Sequence, residues 1–346
     1  MTSLIYPPKP RPGDRVAVVS PSAGLPALFP HVYELGLRRL REEYGLEPVE
    51  YPTTRIMGAD PRDRARDLTA AFADPTITAV LATVGGDDLI TVTPHLDDAV
   101  LRANPKPYFG YSDNTNLLNH LHRLGIVSYH GGSVLVHLGR PGKLHPLTAD
   151  SLRAALFTAG WYDLTPAPKW GDEPNDWNDP GCLADEPVMF PSEGWRWQGP
   201  ATVVEGRIWG GNLEVLHWLL AADRVGAAAS LAGSVFLLET SEELPPAIEV
   251  YRILRNLGER GLLATFPAAL VGRAKAWEFA RRLTPTEKQA YAEQQRAAIT
   301  RAFAEYAPHA VLVFDVDLGH TDPQLIVPYG GEVRIDAINE RISVRY

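Results

Sequence analysis

Three polar residues close apolar strands or open glycine turns in this chain. Ser112 lies in Gly110-Tyr111-Ser112-Asp113-Asn114, Glu239 ends Ser234-Val235-Phe236-Leu237-Leu238, and His320 follows Leu318-Gly319. A serine hydroxyl becomes a nucleophile only when a base takes its proton. An imidazole base in turn needs a carboxylate to hold its tautomer and stabilise the imidazolium. Distance along the chain is no obstacle, because such triads occur in several chain orders. Each residue also has a plainer explanation. Ser112 or Asp113 would serve as the cap of the helix that follows, Glu239 as a solvated strand-end carboxylate, and His320 as a loop histidine.

The setting of Ser112 is the most informative of the three. Tyr108-Phe109 runs into Gly110, and a helical pattern begins directly after the serine. Such a turn lifts the hydroxyl to where the next backbone N–H groups are still unpaired, as in the nucleophile elbows of hydrolases. The spelling departs from G-x-S-x-G, since Asn114 stands where the second glycine would be. Gly85-Gly86, at the end of another apolar run, is either a plain turn or a donor of N–H to an oxyanion. His120 and His122 are two residues apart and do not share a helical face, while His130 before Gly131-Gly132 either lines a site or packs. No H-E-x-x-H or similar spacing suggests a metal, and no G-x-G-x-x-G follows the first strand.

The elements that must position these groups alternate. Strands are expected over residues 15–20, 47–51, 79–84 and at 108, with helices over 30–44, 60–73 and 95–102 between them. That βαβ rhythm predicts an open parallel sheet with helices on both faces, whose sites lie at the carboxyl ends of its strands. Pro21-Ser22-Ala23-Gly24, Gly85-Gly86 and Gly110-Tyr111-Ser112 all fall at such ends. The second half reads as a mixed α/β domain, with a strand and then a glycine turn over 201–213 and further strands over 234–239, 268–271, 310–316, 324–327 and 341–345. Its helices are expected over 213–220, 246–257 and 286–306. The divisions expected are 1–160, 161–200 and 201–346. The middle segment carries Trp161, Trp170, Trp177, Trp195 and Trp197 with little periodicity, which reads as an ordered loop over a site or an inter-domain linker.

Composition narrows the function classes. At 346 residues the chain exceeds the size at which one core keeps growing. A formal net charge of -9 without any Lys/Arg-rich run argues against nucleic acid as a partner. The single cysteine, Cys182, rules out an internal disulfide and a multi-cysteine zinc site. No apolar run approaches the roughly 20 residues of a membrane span. No signal peptide is visible at Met1-Thr2-Ser3-Leu4-Ile5, so a cytoplasmic protein without membrane association is expected.

Taken together, the segments resemble the serine LD-carboxypeptidases, and among them most closely the microcin C immunity peptidases. The matching motifs run from Gly13-Asp14-Arg15-Val16-Ala17-Val18-Val19-Ser20-Pro21-Ser22 to Leu318-Gly319-His320-Thr321-Asp322. Between them lie Val84-Gly85-Gly86-Asp87-Asp88, Gly110-Tyr111-Ser112-Asp113, Gly210-Gly211-Asn212-Leu213 and Phe236-Leu237-Leu238-Glu239-Thr240. The resemblance implies a catalytic triad of Ser112, Glu239 and His320, with the N–H groups of Gly86 and Asp113 as oxyanion hole. It also implies an α/β fold with a doubly wound, flavodoxin-like N-terminal domain and a C-terminal β-rich α/β domain. A dimeric enzyme without metal or cofactor, acting on a small substrate with a free carboxylate, is implied as well. Gly85, Asn212 and Arg273 are candidate substrate contacts, Arg273 being equally open to a structural salt bridge. In the immunity type an aromatic residue of the tryptophan-rich loop stacks on adenine, a role open to Trp177, Trp170 or Trp195. Three functions follow as expectations: cleavage of an acidic aminoacyl group from a modified nucleotide, release of D-alanine from a murein tetrapeptide, or ligand binding without catalysis.

Overall fold

The computed structural model describes residues 4–346. Its first half is a parallel sheet of β1 (Arg15–Val19), β2 (Glu47–Glu50), β3 (Ile77–Ala82), β4 (Tyr108–Gly110) and β5 (Ser128–His130). The strand order is β2-β1-β3-β4-β5, the flavodoxin-like doubly wound order, with its switch point between β1 and β3. Helices α1 (Pro30–Glu42), α2 (Pro61–Ala73), α3 (Asp98–Ala103), α4 (Thr115–Arg123) and α5 (Pro146–Phe157) provide the crossovers and flank the sheet. Strands of this kind are apolar on both faces because both are covered. Alternate side chains therefore enter different cores: Ala17 and Val19 of β1 join one cluster, Val16 and Val18 the other.

The tryptophan-rich segment is ordered and holds β6 (Trp161–Leu164), β7 (Lys169–Trp170), β8 (Phe190–Pro191) and β9 (Arg196–Gln198). Trp177, Trp195 and Trp197 pack against the second core cluster, which anchors a stretch that has no period of its own. The second half contributes β10 (Val203–Asn212), β11 (Val235–Glu239), β12 (Ala268–Gly272) and β13 (Val311–Val316), parallel and adjacent in that order. Helices α6 (Leu213–Ala221), α7 (Ala228–Leu231), α8 (Ala247–Glu259) and α9 (Pro285–Tyr306) lie between them in sequence.

One short strand joins the halves. β14 (Val327–Tyr329) pairs antiparallel with β5 and parallel with β10, so a continuous sheet runs from β2 to β13. The strand expected over 324–327 begins only at its last residue. Before it, Gln324 sends its side chain to the Gly319 carbonyl instead. β15 (Glu332–Asp336), not anticipated from the sequence, pairs with the first half of β10, and β16 (Arg341–Arg345) bridges it to β6. β4 and β5 are parallel to each other, as are β10, β11 and β12, so within each half the loops after the carboxyl ends lie along one edge.

Candidate active site

β4 ends at Gly110, and Ser112 follows with a φ of +62°, outside the region favoured by a residue with a Cβ. Neither it nor Asp113 caps the helix, which corrects the plainer expectation. The side chains at the Tyr111 and Asn114 cap positions accept no hydrogen bond from the helix N–H groups. What holds the turn is Asn114. Its Nδ2 donates to the carbonyls of Val84 (3.1 Å) and Tyr111 (3.0 Å), and its Oδ1 accepts from the Tyr108 hydroxyl. A Cβ on Gly110 would sit 2.8 Å from the Asn114 side chain, so glycine is needed there. The residue that breaks the usual elbow spelling is thus the one that pins the elbow.

Asp113 ties three loops together. Its carboxylate accepts from Ser22 Oγ (2.5 Å), the Leu89 N–H (2.8 Å) and Asn116 Nδ2 (2.7 Å). Burial pushes this carboxyl above its ordinary range, and the bonds from Ser22 and Leu89 pull it back. Arg64 completes the knot with a bidentate pair to Asp88 at 2.7 Å and a bond to the Ser22 carbonyl at 2.8 Å. These contacts bring Gly85-Gly86 against the elbow. A Cβ on Gly85 would lie 2.9 Å from Ser112 Oγ and 3.3 Å from the Asp113 nitrogen. The hydrogen bonds of the turn start at Asn114, whose N–H donates to the Tyr111 carbonyl at 3.2 Å, so the Asp113 N–H lies ahead of them.

His320 joins Ser112 to Glu239. Its Nε2 lies 3.1 Å from Ser112 Oγ and its Nδ1 lies 2.6 Å from Glu239 Oε2. Two glycines allow this approach. A Cβ on Gly319 would fall 2.8 Å from Glu239 Oε2, and one on Gly272 would fall 2.9 Å from Glu239 Cβ. Burial opposes charge on His320, but the Glu239 carboxylate, helped by Glu242, outweighs it and pushes the imidazole up to about 9. Two other histidines respond oppositely. Burial pushes His130 down to about 4 and His137 down to about 3, so both are neutral at pH 7. Tyr111 packs between these rings, 4.9 Å from His320 and 5.2 Å from His137.

A cleft opens beside His320, lined among others by Tyr111, Arg140, Trp177 and Lys275. Trp177 is thereby brought to the site, edge-on to Phe29 at 5.4 Å. Asn212 is buried next to Glu239 in the paired strands. Its Oδ1 caps α6 through the Val215 N–H, and its Nδ2 has no partner among the described residues. Three expected contacts are not brought there. Arg273 turns away to Ser192 Oγ (3.1 Å), the Asp315 carbonyl (3.2 Å) and Asp317 (3.7 Å). Trp170 lies beneath its guanidinium at 4.8 Å, and Trp195 bonds Asp317, so both belong to the same structural knot. Sequence reasoning missed Glu242, whose carboxylate lies 3.5 Å from His320 Nε2, and Lys275, whose Nζ donates to the His320 carbonyl at 3.3 Å. Among the described residues no cluster of three or more His, Cys, Asp or Glu is placed to hold a metal, and no helix is long and apolar enough to cross a membrane.

Comparisons with known proteins identify the family. The chain matches the LD-carboxypeptidase N-terminal domain over residues 16–131 and the LD-carboxypeptidase C-terminal domain over residues 205–335. It is 26% identical over 286 residues to the microcin C7 self-immunity protein MccF of Escherichia coli, covering 82% of this chain and 78% of that protein. It is 28% identical over 326 residues to the murein tetrapeptide carboxypeptidase of Pseudomonas aeruginosa, covering 91% of each. The structure of an MccF-like protein from Streptococcus pneumoniae in complex with AMP superposes with a TM-score of 0.83 at 25% identity, over 96% of this chain and 99% of that one.

Proposed function

The chain belongs to the LD-carboxypeptidase family and is MccF-like, and from that premise we propose that it is a serine hydrolase cleaving an acidic aminoacyl group from a modified nucleotide. One observation carries the reading: the hydrogen-bonded chain Ser112–His320–Glu239 opens on a cleft that also contains Trp177. Ser112 Oγ attacks the acyl carbonyl while His320 Nε2 takes its proton. Glu239 holds Nδ1–H and stabilises the imidazolium. The oxyanion that forms is met by the N–H groups of Gly86 and Asp113, each such donor being worth about 3–4 kcal/mol of barrier. Collapse expels the nitrogen leaving group, which takes the proton from His320. Water then enters, loses its proton to the same imidazole and attacks the acyl carbon, and the imidazole returns that proton to Ser112 Oγ as the free acid leaves. The unpartnered Nδ2 of Asn212 suits a substrate oxygen, and the Trp177 ring suits a base.

Likeness to the Pseudomonas carboxypeptidase across 91% of the chain supports a second reading, hydrolysis of a murein tetrapeptide by the same triad. The two separate in one assay. Purified protein is given aspartyl sulfamoyl adenosine and, in parallel, murein tetrapeptide, with Ser112→Ala as control. Hydrolysis of the first and loss of it in Ser112→Ala is the expected result. Turnover of the tetrapeptide alone would replace this reading with the second.

A further inference from the structure

Two opposite charges flank His320 without pairing with each other. Glu242 reaches to 3.5 Å from Nε2 on one side and keeps 57% of its side chain exposed, which leaves room for a ligand. Lys275 lies on the other side, 9% exposed, and lines the cleft. Its Nζ carries three N–H donors and has one acceptor, the His320 carbonyl at 3.3 Å. The neighbouring carboxylates are already taken: Asp172 by Lys288 at 2.7 Å and Asp322 by Arg140 at 2.9 Å. Among the described residues no carboxylate oxygen lies within the 4.0 Å of an ion pair to Lys275. A buried ammonium with spare donors facing a cleft is a built anion site, because leaving it unpaired is costly.

The geometry points to Glu242 and Lys275 as a pair that reads a zwitterionic group on the acyl side of the bond cleaved, Glu242 taking its free ammonium and Lys275 its free carboxylate. This rests on the hydrolase reading above and names the substrate chemistry of that same site. An unblocked acidic aminoacyl group carries both charges, and so does the side arm of a diaminodicarboxylic acid in a cell-wall peptide. The charges of the protein bear on both members of the pair. Burial would raise the Glu242 carboxyl, but His320 and Lys275 hold it below the usual range, so it is ionised. Burial pulls Lys275 down, opposed by Glu242 first and also by Asp172 and Asp322, while Lys288 adds to the lowering. Tyr111, the remaining titratable group facing Glu242, is kept neutral by burial. Recognition also changes the base. An ammonium that occupies Glu242 draws this carboxylate's field away from His320 Nε2, which leaves that nitrogen to Ser112. His320 would then be faced by Glu239, Lys275 and the neutral His130 and His137.

The test is calorimetric binding to protein carrying Ser112→Ala. The ligands are aspartyl sulfamoyl adenosine, its N-acetyl derivative, its asparaginyl counterpart, and diaminopimelate-containing tetrapeptides with and without an acetylated side-arm amine. The free-amine acid should bind best within its class. Adding Glu242→Gln should remove roughly tenfold or more of the preference for the free amine while leaving the acetylated ligand within about threefold, as expected for one hydrogen bond between charged groups. Lys275→Met should erase the preference for aspartyl over asparaginyl. Lys275→Gln, which keeps a long side chain and a donor, guards against loss of folding. Which ligand class binds tests the hydrolase reading separately from the pair. Equal weakening of free and blocked ligands by Glu242→Gln, or no preference for the free amine in either class, would overturn the inference.

Discussion

Glu242 places a carboxylate oxygen 3.5 Å from His320 Nε2, the same nitrogen that faces Ser112 Oγ at 3.1 Å. The imidazolium N–H therefore has two acceptors, one of them anionic, and with Glu239 on the other nitrogen its pKa is pushed up to about 9. A general base must be neutral, so kcat/KM of the wild type should rise with pH until about 9. Removing the negative charge with Glu242→Gln destabilises the imidazolium, lowers its pKa and moves that acid limb to lower pH. A pH–rate profile in both proteins measures it, and superimposable limbs would deny Glu242 any electrostatic hold on the base.

The positive φ of Ser112 makes a prediction about stability that runs against activity. A left-handed conformation costs a residue with a Cβ about 1–2 kcal/mol. Glycine escapes that cost but loses about 0.5–1 kcal/mol more in chain entropy on folding. Ser112→Gly should then be inactive yet more stable, by up to roughly 1 kcal/mol. Ser112→Ala, with its Cβ retained, should be inactive without the gain. Denaturant unfolding of the three proteins compares them directly.

Ser112, Glu239 and His320 are legible in the sequence because each stands just past an apolar strand, and parallel pairing gathers the strand ends of each half on one edge. How the two halves are joined is not legible. It depends on β14, three residues long, which joins β5 to β10. Arg273 and Lys275 show why local patterning stops short of the site. Two residues apart on one loop, they point to different fates: Arg273 is drawn to Asp317 and Trp170, and Lys275 to the cleft. Only the tertiary partners distinguish them. Asn114 reads as a defect in a motif until its three acceptor and donor partners are seen beneath the turn.

Gly85 has an ordinary backbone conformation, so alanine there is excluded by its surroundings rather than by φ. Its Cβ would lie 2.9 Å from both Ser112 Cβ and Ser112 Oγ. The added methyl group must displace the nucleophile and disturb the oxyanion site beside it. Gly85→Ala should lower kcat by about 100-fold or more, in the range for loss of an oxyanion donor. Because the nearest atoms are those of the Ser112 side chain, which can turn aside, stability should change by no more than about 1 kcal/mol. Steady-state kinetics and thermal unfolding together decide it. A full loss of folding would mean that the loop is part of the core and not a support for Ser112.

The two tryptophans named for base stacking should behave differently when removed. Trp177 lines the cleft with His320, so Trp177→Ala should weaken AMP binding by about 1–3 kcal/mol, the contribution of one stacked base. Trp170 lies under Arg273 at 4.8 Å and beside Phe190 at 6.0 Å, away from the cleft lining. Trp170→Ala should leave AMP affinity unchanged and lower stability instead, since the guanidinium loses its aromatic face. Titration of AMP into both variants, with thermal unfolding alongside, separates a stacking residue from a structural one. Equal loss of AMP binding in the two would place the base on the Arg273 side of the loop and take Trp177 out of the substrate site.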